Sequence, residues 1–329
     1  MNIRAIMAAA IFTMAAIRSN AFLQEETTIT ISAAGDCTLG SDYRAGYHNS
    51  LLHEYERQGT EEYFLRNVRH IFEADDLTLA NLEGPLTDAE AHEDKEFVFK
   101  GPPSLALALS AGGVDAVTIA NNHTYDYLAK GYADTMESLD DAGVDYFGNG
   151  LTLMKEVKGV KIGLFGYRVW DASRYNKDRI AEAITALRED GARIIVAFYH
   201  WGEEKQYYPN AVQKEMGRFT IDCGANLVLG SHPHVLQGVE VYKGRNIIYS
   251  LGNFCYGGSR HPADPDTFIF QQVFTVRGQR LLNDNACTII PASVSSVQDR
   301  NNFQPTPMDG GDADRILEKI SNLRVSEGA

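Results

Sequence analysis

The chain has 329 residues, 44% of them hydrophobic and 22% charged, with a formal net charge of −14. That length and apolar content suffice for one large core. The acidic balance argues against nucleic acid or an anionic membrane surface as a partner, unless a cation intervenes. With no low-complexity tract or fixed-period repeat, disordered and solenoid architectures are excluded as well.

Residues 1–21 differ from the rest. Arg4 precedes an apolar run from Ala5 to Ile17, and Arg18-Ser19-Asn20-Ala21 follows. A basic start, a short apolar stretch and small residues before a cut after Ala21 form the pattern of a secretory signal peptide. The run is too short to span a bilayer, so no stable transmembrane anchor is expected. The mature chain is therefore expected to be secreted or extracytoplasmic. One domain is expected over residues 22–298, followed over 299–329 by a linker and a C-terminal helix.

From residue 28 onward one device recurs: a β-branched apolar run ends abruptly in Asp, Asn, Glu or His. "TITISAAGD" ends at Asp36, and the segment from Ser41 to Glu73 then reads as helical and peripheral. "DDLTLANLEG" ends in Asn81 and Glu83, and Thr87 to Pro103 reads as a loop or short hairpin. "VDAVTIANNH" ends in Asn121, Asn122 and His123. Tyr132 to Ala142 has helical spacing with Gly143 as its stop. Val157 to Gly166 reads as a hairpin around Lys158-Gly159. Lys177 to Asp190 is helical, with Ile180, Ala183, Ile184 and Leu187 on one face. "ARIIVAFYHWGEE" runs into His200 and Glu203, and Ala211 to Cys223 is helical again. "ANLVLGSHPH" ends in His232 and His234, Val239 to Ser250 reads as a second hairpin around Lys243-Gly244, and "RNIIYSLGNF" ends at Asn253. Asp299 to Gly311, rich in Pro and Asn, reads as the linker to a short helix near Ala313 to Leu323. Strands alternating with helices predict an α/β fold, in which polar clusters at strand carboxyl ends converge on one rim.

The collected rim residues are Asp36, Glu83, Asn122, His200, His232 and His234. Two carboxylates, one amide and three imidazoles suit Mn, Fe or Zn. They are too many for one tetrahedral ion and suit one or two divalent ions, the two-ion case being the clamp used in phosphoryl displacement. An extended His-x-His pair points its rings to opposite faces. Pro233 and the preceding Gly230-Ser231 allow the bend that would bring both to one site. His123, beside Asn122, is placed to act as a general acid, with Asp126 orienting it. Arg168, Trp201 and Asn253 are the candidate substrate contacts; Tyr207 and Tyr208 are weighed as a stacking surface. His48, His53, His70, His92 and His261 lie in polar segments and read as solvated. Cys37, Cys223, Cys255 and Cys287 have no C-x-x-C spacing and are too few for a disulfide framework.

The motifs "GDCTLG", "NLEGPLT", "ANNHTYDYLAKG", "HWGEE", "GSHPHVLQGVE" and "SLGNF" resemble those of the CapA/PgsA family of capsule and poly-γ-glutamate synthesis proteins, over roughly residues 28 to 290. The resemblance implies a four-layer α/β/β/α sandwich of the metallo-dependent phosphatase type and an extracytoplasmic role in envelope polymer metabolism. It implies Asp36 as the first metal ligand, Glu83 as the bridging carboxylate, Asn122 as the amide ligand, His123 as the outer acid, and His200, His232 and His234 as the imidazole ligands. The phosphoesterase pattern has Asp-x-His on the first strand, whereas this chain has Asp36-Cys37-Thr38, so one ligand is missing. The expected substrate is an anionic envelope polymer or a phosphorylated small molecule, within a capsule synthesis complex. Two alternatives stand beside hydrolysis: a non-catalytic polymer-binding or assembly component, and a peptidase or amidase acting on γ-glutamyl links.

Overall fold

The computed structural model describes residues 26–278 and 280–325. The expected signal peptide, residues 1–21, lies outside the described residues. In chain order the elements are β1 (Glu26–Thr38), β2 (Ser41–Asp42), α1 (Leu51–Gln58), α2 (Arg69–Phe72), β3 (Leu77–Leu82), β4 (Phe99–Lys100), α3 (Ala106–Ala111), β5 (Ala116–Thr118) and α4 (Leu128–Ala142). The middle of the chain forms β6 (Asp145–Phe147), β7 (Thr152–Val157), β8 (Val160–Val169), α5 (Arg174–Glu189), β9 (Ile194–Trp201), α6 (Ala211–Asp222) and β10 (Leu227–Ser231). It closes with β11 (Val239–Tyr242), β12 (Arg245–Ile248), β13 (Asn253–Tyr256), β14 (Asp266–Arg277), β15 (Arg280–Ser293), β16 (Thr306–Pro307) and α7 (Gly310–Asn322).

Most of these strands form two mixed sheets, while β2 and β4 pair separately. The larger runs β16-β15-β14-β1-β3-β5-β6, with β13 also paired to β1; the smaller runs β11-β12-β10-β9-β8-β7. Pairing is parallel through β1, β3, β5 and β6 and through β8, β9, β10 and β12, and antiparallel at β14–β15, β7 and β11. The fold is thus mixed α/β, with crossover helices between the parallel strands. One apolar cluster joins residues of both sheets, among them Ile31, Leu79, Phe270, Leu164, Val196 and Leu229. A second packs the larger sheet against Leu105, Leu109 and Leu139 of the helical segments, and a third packs the smaller sheet against Ile180, Ile184 and Met216 of α5 and α6.

Local chemistry sets the boundaries. The Ser173 side chain accepts from the Asn176 N–H, so α5 starts ahead of the expected Lys177. Asn210 and Gln213 close a reciprocal capping box on α6. Gly143, with φ +71, stops α4. Both expected hairpins form, with Lys158-Gly159 and Lys243-Gly244 at positive φ in the turns. The β14–β15 hairpin is not among the expected elements, although Phe268, Phe270 and Phe274 alternate on its inward face. Residues 299–311, expected as a linker, are packed: Asn301, Asn302, Phe303 and Gln304 are buried. Asn302 donates to Tyr63 Oη and Ser296 Oγ and accepts from the Ser295 hydroxyl and the Ser296 N–H, which turns an Asn-rich tract into a scaffold. Beyond it, α7 puts Ile316 and Ile320 into the cluster shared by the sheets.

Ile316 is fully buried. Ile316→Ala is expected to lower unfolding stability by about 2–5 kcal/mol, read as a lower urea midpoint at unchanged slope. An unchanged midpoint would show that α7 is dispensable to the core.

Candidate metal centre

The site is set by the carboxyl end of β1. Asp36 is in parallel register with Asn81 of β3 and with Asn253 of β13 at once. The β1–β3 ladder breaks between Ala33 and Asp36, and the Asp36 N–H donates to Gly252 O at 2.9 Å. Gly35 permits this: a Cβ there would lie 1.9 Å from Gly252 O. Asp36 is fully buried, its Oδ1 accepting from Asn81 Nδ2 at 2.7 Å and its Oδ2 from the His232 N–H at 3.3 Å. Asn121 Nδ2 in turn donates to Asn81 Oδ1 at 3.1 Å, linking the ends of β1, β3 and β5.

The predicted ligands converge. Glu83, His200 and His232 offer three atoms within 4.8 Å of one another, and Asp36, Glu83 and His234 offer a second such group. Glu83 alone belongs to both. Asn122 joins the first group, its Oδ1 lying 2.7 Å from His200 Nε2. The bend allowed by Pro233 is present, with His232 at φ +97 and His234 at φ +57. Positive φ is strained for side-chain-bearing residues, and here it turns both rings of a His-x-His segment into one cluster. A third group, Glu204 with His232 and His234, closes the mouth. Its loop is tied down where the Lys205 N–H donates to Pro233 O at 2.8 Å.

The electrostatics fit a divalent ion. Glu83 is 1% exposed, and neither of its oxygens, nor His232 Nδ1, has a hydrogen-bond partner among the described residues. A bare buried carboxylate costs several kcal/mol unless it is paired or bound to metal. Burial, then the neighbouring Asp36 charge, pushes Glu83 well above the usual carboxylate range. Burial, then the other imidazoles, holds His200 well below the usual histidine range and His232 at about 4, so both are neutral donors at pH 7. For His234 burial opposes the proton, but the Glu83 and Asp36 carboxylates outweigh it and raise the ring to about 10.

His123 stands just outside this group. Its Nδ1–H donates to Asp126 Oδ2 at 2.8 Å, and its Nε2 lies 4.0 Å from Glu83 Oε1. Asp126 is fully buried, accepts from the Phe99 N–H at 2.7 Å and is paired with Lys95, which also donates to Asn122 O at 2.9 Å. Lys95 thus braces both the acid candidate and the amide ligand; nothing in its charged loop sets it apart in the sequence.

Two expected substrate contacts are corrected. Trp201 is fully buried in the outer cluster of the smaller sheet, its Nε1–H donating to Tyr249 O at 2.8 Å. Successive strand residues face opposite sides, so a strand that turns His200 to the site turns Trp201 away. Asn253 is 3% exposed; its Oδ1 lies 2.9 Å from His234 Nδ1 and its Nδ2 donates to His234 O at 3.2 Å, so it positions a ligand instead. Arg168 is exposed at the end of β8, in register with His200. An exposed aromatic residue at the site is Trp170, 44% exposed, with its ring 4.8 Å from that of His232. It follows Arg168 by two residues, one position beyond the end of β8, and that spacing is the available signal. Tyr207 donates to Asp264 away from the ligand set, while Tyr208 is exposed. The four cysteines are free.

A family model described as bacterial capsule synthesis protein PGA_cap matches residues 30–257. The capsule biosynthesis protein CapA of Bacillus anthracis is 28% identical over 311 residues, 84% of this chain and 72% of that protein. The PGA biosynthesis protein CapA of Bacillus subtilis (strain 168) is 31% identical over 222 residues, 61% of this chain and 58% of that one. A probable polyglutamine synthesis accessory protein of Mycobacterium tuberculosis is 28% identical over 211 residues, 55% of each chain. The chain thus spans little more than half the length of the latter two. Among solved structures, a hypothetical protein from Thermus thermophilus aligns with TM-score 0.48 and 16% identity, over 80% of this chain and 98% of that one.

If the cluster holds ions, Mn²⁺ or Zn²⁺ at 100-fold above its Kd should stabilise the fold by about 2.7 kcal/mol, read as a rise in melting temperature. His232→Ala and Glu83→Gln should lose that rise. Trp201→Phe should lower the baseline melting temperature yet keep the rise. The opposite pattern, with metal response lost in Trp201→Phe and kept in His232→Ala, would reject the assignment.

Proposed function

Because the chain belongs to the bacterial capsule synthesis protein PGA_cap family, we propose that it is an extracytoplasmic, metal-dependent hydrolase of phosphoesterase type acting in capsule or poly-γ-glutamate metabolism. The observation that carries this reading is the buried Glu83 carboxylate, which has no hydrogen-bond partner among the described residues and is shared by two groups of ligand atoms. The succession of helices, two sheets sharing a core, and further helices supports reading the fold as the four-layer sandwich of the metallophosphatase type. Export is proposed from residues 1–21. Among the described residues no helix is long and apolar enough to cross a membrane. The relatives' names support a place within a capsule synthesis complex.

Asp36, Glu83 and His234 would hold one divalent ion, and Glu83, Asn122, His200 and His232 a second. Such ions supply Lewis acidity at the reacting oxygens and a nucleophilic water near neutral pH. The chain's own residues do the rest. Asp126 accepts the His123 Nδ1–H and fixes the ring, leaving Nε2 turned toward Glu83. From there the His123 Nε2–H would give its proton to the departing oxygen. Asn253 and Asn81 hold His234 and Asp36 in place, as partners behind metal ligands commonly do. Glu204 narrows the mouth from the solvent side.

One observation favours the alternative of a non-catalytic polymer-binding or assembly component. Thr38 stands where the phosphoesterase pattern has histidine, and its buried hydroxyl has no hydrogen-bond partner among the described residues.

His123→Ala should cut turnover of an alkyl phosphoester by ~10²–10⁴ while bound metal is unchanged. The loss should be smaller for a nitrophenyl ester, whose leaving group needs no proton. Absence of any metal-dependent hydrolysis by the wild-type protein with Mn, Zn or Fe would transfer the case to the binding component.

A further inference from the structure

The strand that supplies Asn253 ends in a tyrosine. β13 pairs with β1 in parallel, Asp36 opposite Asn253 and Thr38 opposite Tyr256. Two steps along β1, from 36 to 38, match three along β13, from 253 to 256, so β13 carries an extra residue between the two pairs. Regular alternation would turn Asn253 and Tyr256 to opposite faces. The extra residue turns Tyr256 back to the face of Asp36 and Thr38, as bulges beside functional sites do when they re-aim a side chain.

The ring lies where this turn sends it, packed against His234 with centroids 5.3 Å apart. Its backbone is fixed on both sides: the Gly257 N–H donates to Thr38 O at 2.9 Å, and Asn301 Nδ2 donates to Tyr256 O at 2.8 Å. A Cβ at position 258 would fall 2.4 Å from Tyr256 Cζ and Oη, so Gly258 keeps room for the end of the ring. Packing against His234 needs only a ring, which phenylalanine would supply. The hydroxyl is the part that the fold leaves unused: it has no hydrogen-bond partner among the described residues, and the side chain is partly exposed. A phenol keeps its proton at neutral pH, and burial, then the Glu83 and Asp36 carboxylates, hold this one further from ionising. It is a donor without an acceptor, at the edge of the group formed by Asp36, Glu83 and His234.

We propose that Tyr256 is a substrate-contacting residue of the centre, its Oη–H donating to an oxygen that stays on phosphorus when the phosphoester is cleaved beside Asp36, Glu83 and His234. This rests on the reading of the cluster as a phosphoesterase centre. The neighbouring acids on that side, Asp36, Glu83 and Glu204, accept hydrogen bonds and do not donate them once ionised. Asn253 and His234 are engaged with each other. A phosphoryl oxygen placed there receives no hydrogen from any of these groups, and Tyr256 supplies one. The division of labour is then clear: His123 serves the oxygen that leaves, and Tyr256 an oxygen that remains. A donor held in place before the reaction costs no reorganisation when charge develops on that oxygen.

The test is calorimetric titration of the full-length, Mn²⁺-loaded protein with inorganic phosphate, with metal content and melting curves measured on each variant. Tyr256→Phe should keep its Mn²⁺ and its fold and weaken phosphate binding by about tenfold, the scale of one lost hydrogen bond to a charged group. Its turnover should fall by the same factor for alkyl and nitrophenyl phosphoesters, because the oxygen it serves does not leave; a His123 defect depends on the leaving group. Gly258→Ala, which pushes the end of the ring aside, should weaken phosphate binding too, and it carries the test if Tyr256→Phe does not fold. Unchanged phosphate affinity in the folded variants, loss of Mn²⁺ from Tyr256→Phe, or absence of phosphate binding by the wild-type protein would each overturn the proposal. Hydroxyl-dependent phosphate binding without hydrolysis would leave Tyr256 in its role and remove the hydrolase reading. Hydrolysis that Tyr256→Phe leaves intact would do the reverse.

Discussion

A carboxylate that is 1% exposed and receives no hydrogen bond from the described residues is the constraint on which this structure turns. Glu83 sits where β3 ends, with His200 Nε2 at 3.6 Å and His234 Nε2 at 3.7 Å from its Oε1. Leaving an anion there uncompensated would cost several kcal/mol, a large share of a domain's net stability. The fold gathers Asp36, Asn122 and three imidazoles around it from the ends of four other strands. Three of those groups are held by neutral partners: Asn81 on Asp36, Asn253 on His234, Ser231 on His200. Those partners fix orientation without adding charge to the cluster.

Much of this is legible in the sequence because strand ends in parallel sheets announce themselves. Runs such as "TITISAAGD" and "VDAVTIANNH" are buried on both faces and so nearly all apolar, and they stop at the residue that must meet the rim. Four helices and two Lys-Gly turns are likewise marked by glycine or by amphipathic spacing. The failures have equally local causes. Adjacency to His200 suggests Trp201 for the site, but the pleat sends neighbours to opposite faces, and the register pairs Trp201 with Val169 in the outer core and His200 with Arg168 on the rim. Counting two residues on from Arg168 leads to Trp170. Residues 299–311 look like a linker because Asn and Pro are turn formers; burial of Asn302 with four hydrogen bonds depends on Tyr63, Ser295 and Ser296, partners that no local pattern reveals. Glu204 gives no signal at all, because an exposed acid in a loop has no period to betray it.

Strain and charge are concentrated in the same place. His232 and His234 both adopt positive φ, one residue apart, in a segment fastened by the Lys205 N–H to Pro233 O and by Asn253 to His234. Left-handed backbone at side-chain-bearing residues persists where surrounding contacts over-determine it, and it gathers at functional sites. On the exposed side, Glu204 adds a further carboxylate beside His232 and His234.

The central claim is that Glu83 is shared between two bound cations. Crystals of the full-length protein grown with Mn²⁺, measured at the metal's absorption edge, address it directly. The account predicts two anomalous peaks, both within ~2.0–2.3 Å of a Glu83 oxygen, one also touching His234 and the other His200 and His232. Peaks absent from this cluster, with Glu83 instead hydrogen-bonded to ordered water, would contradict it.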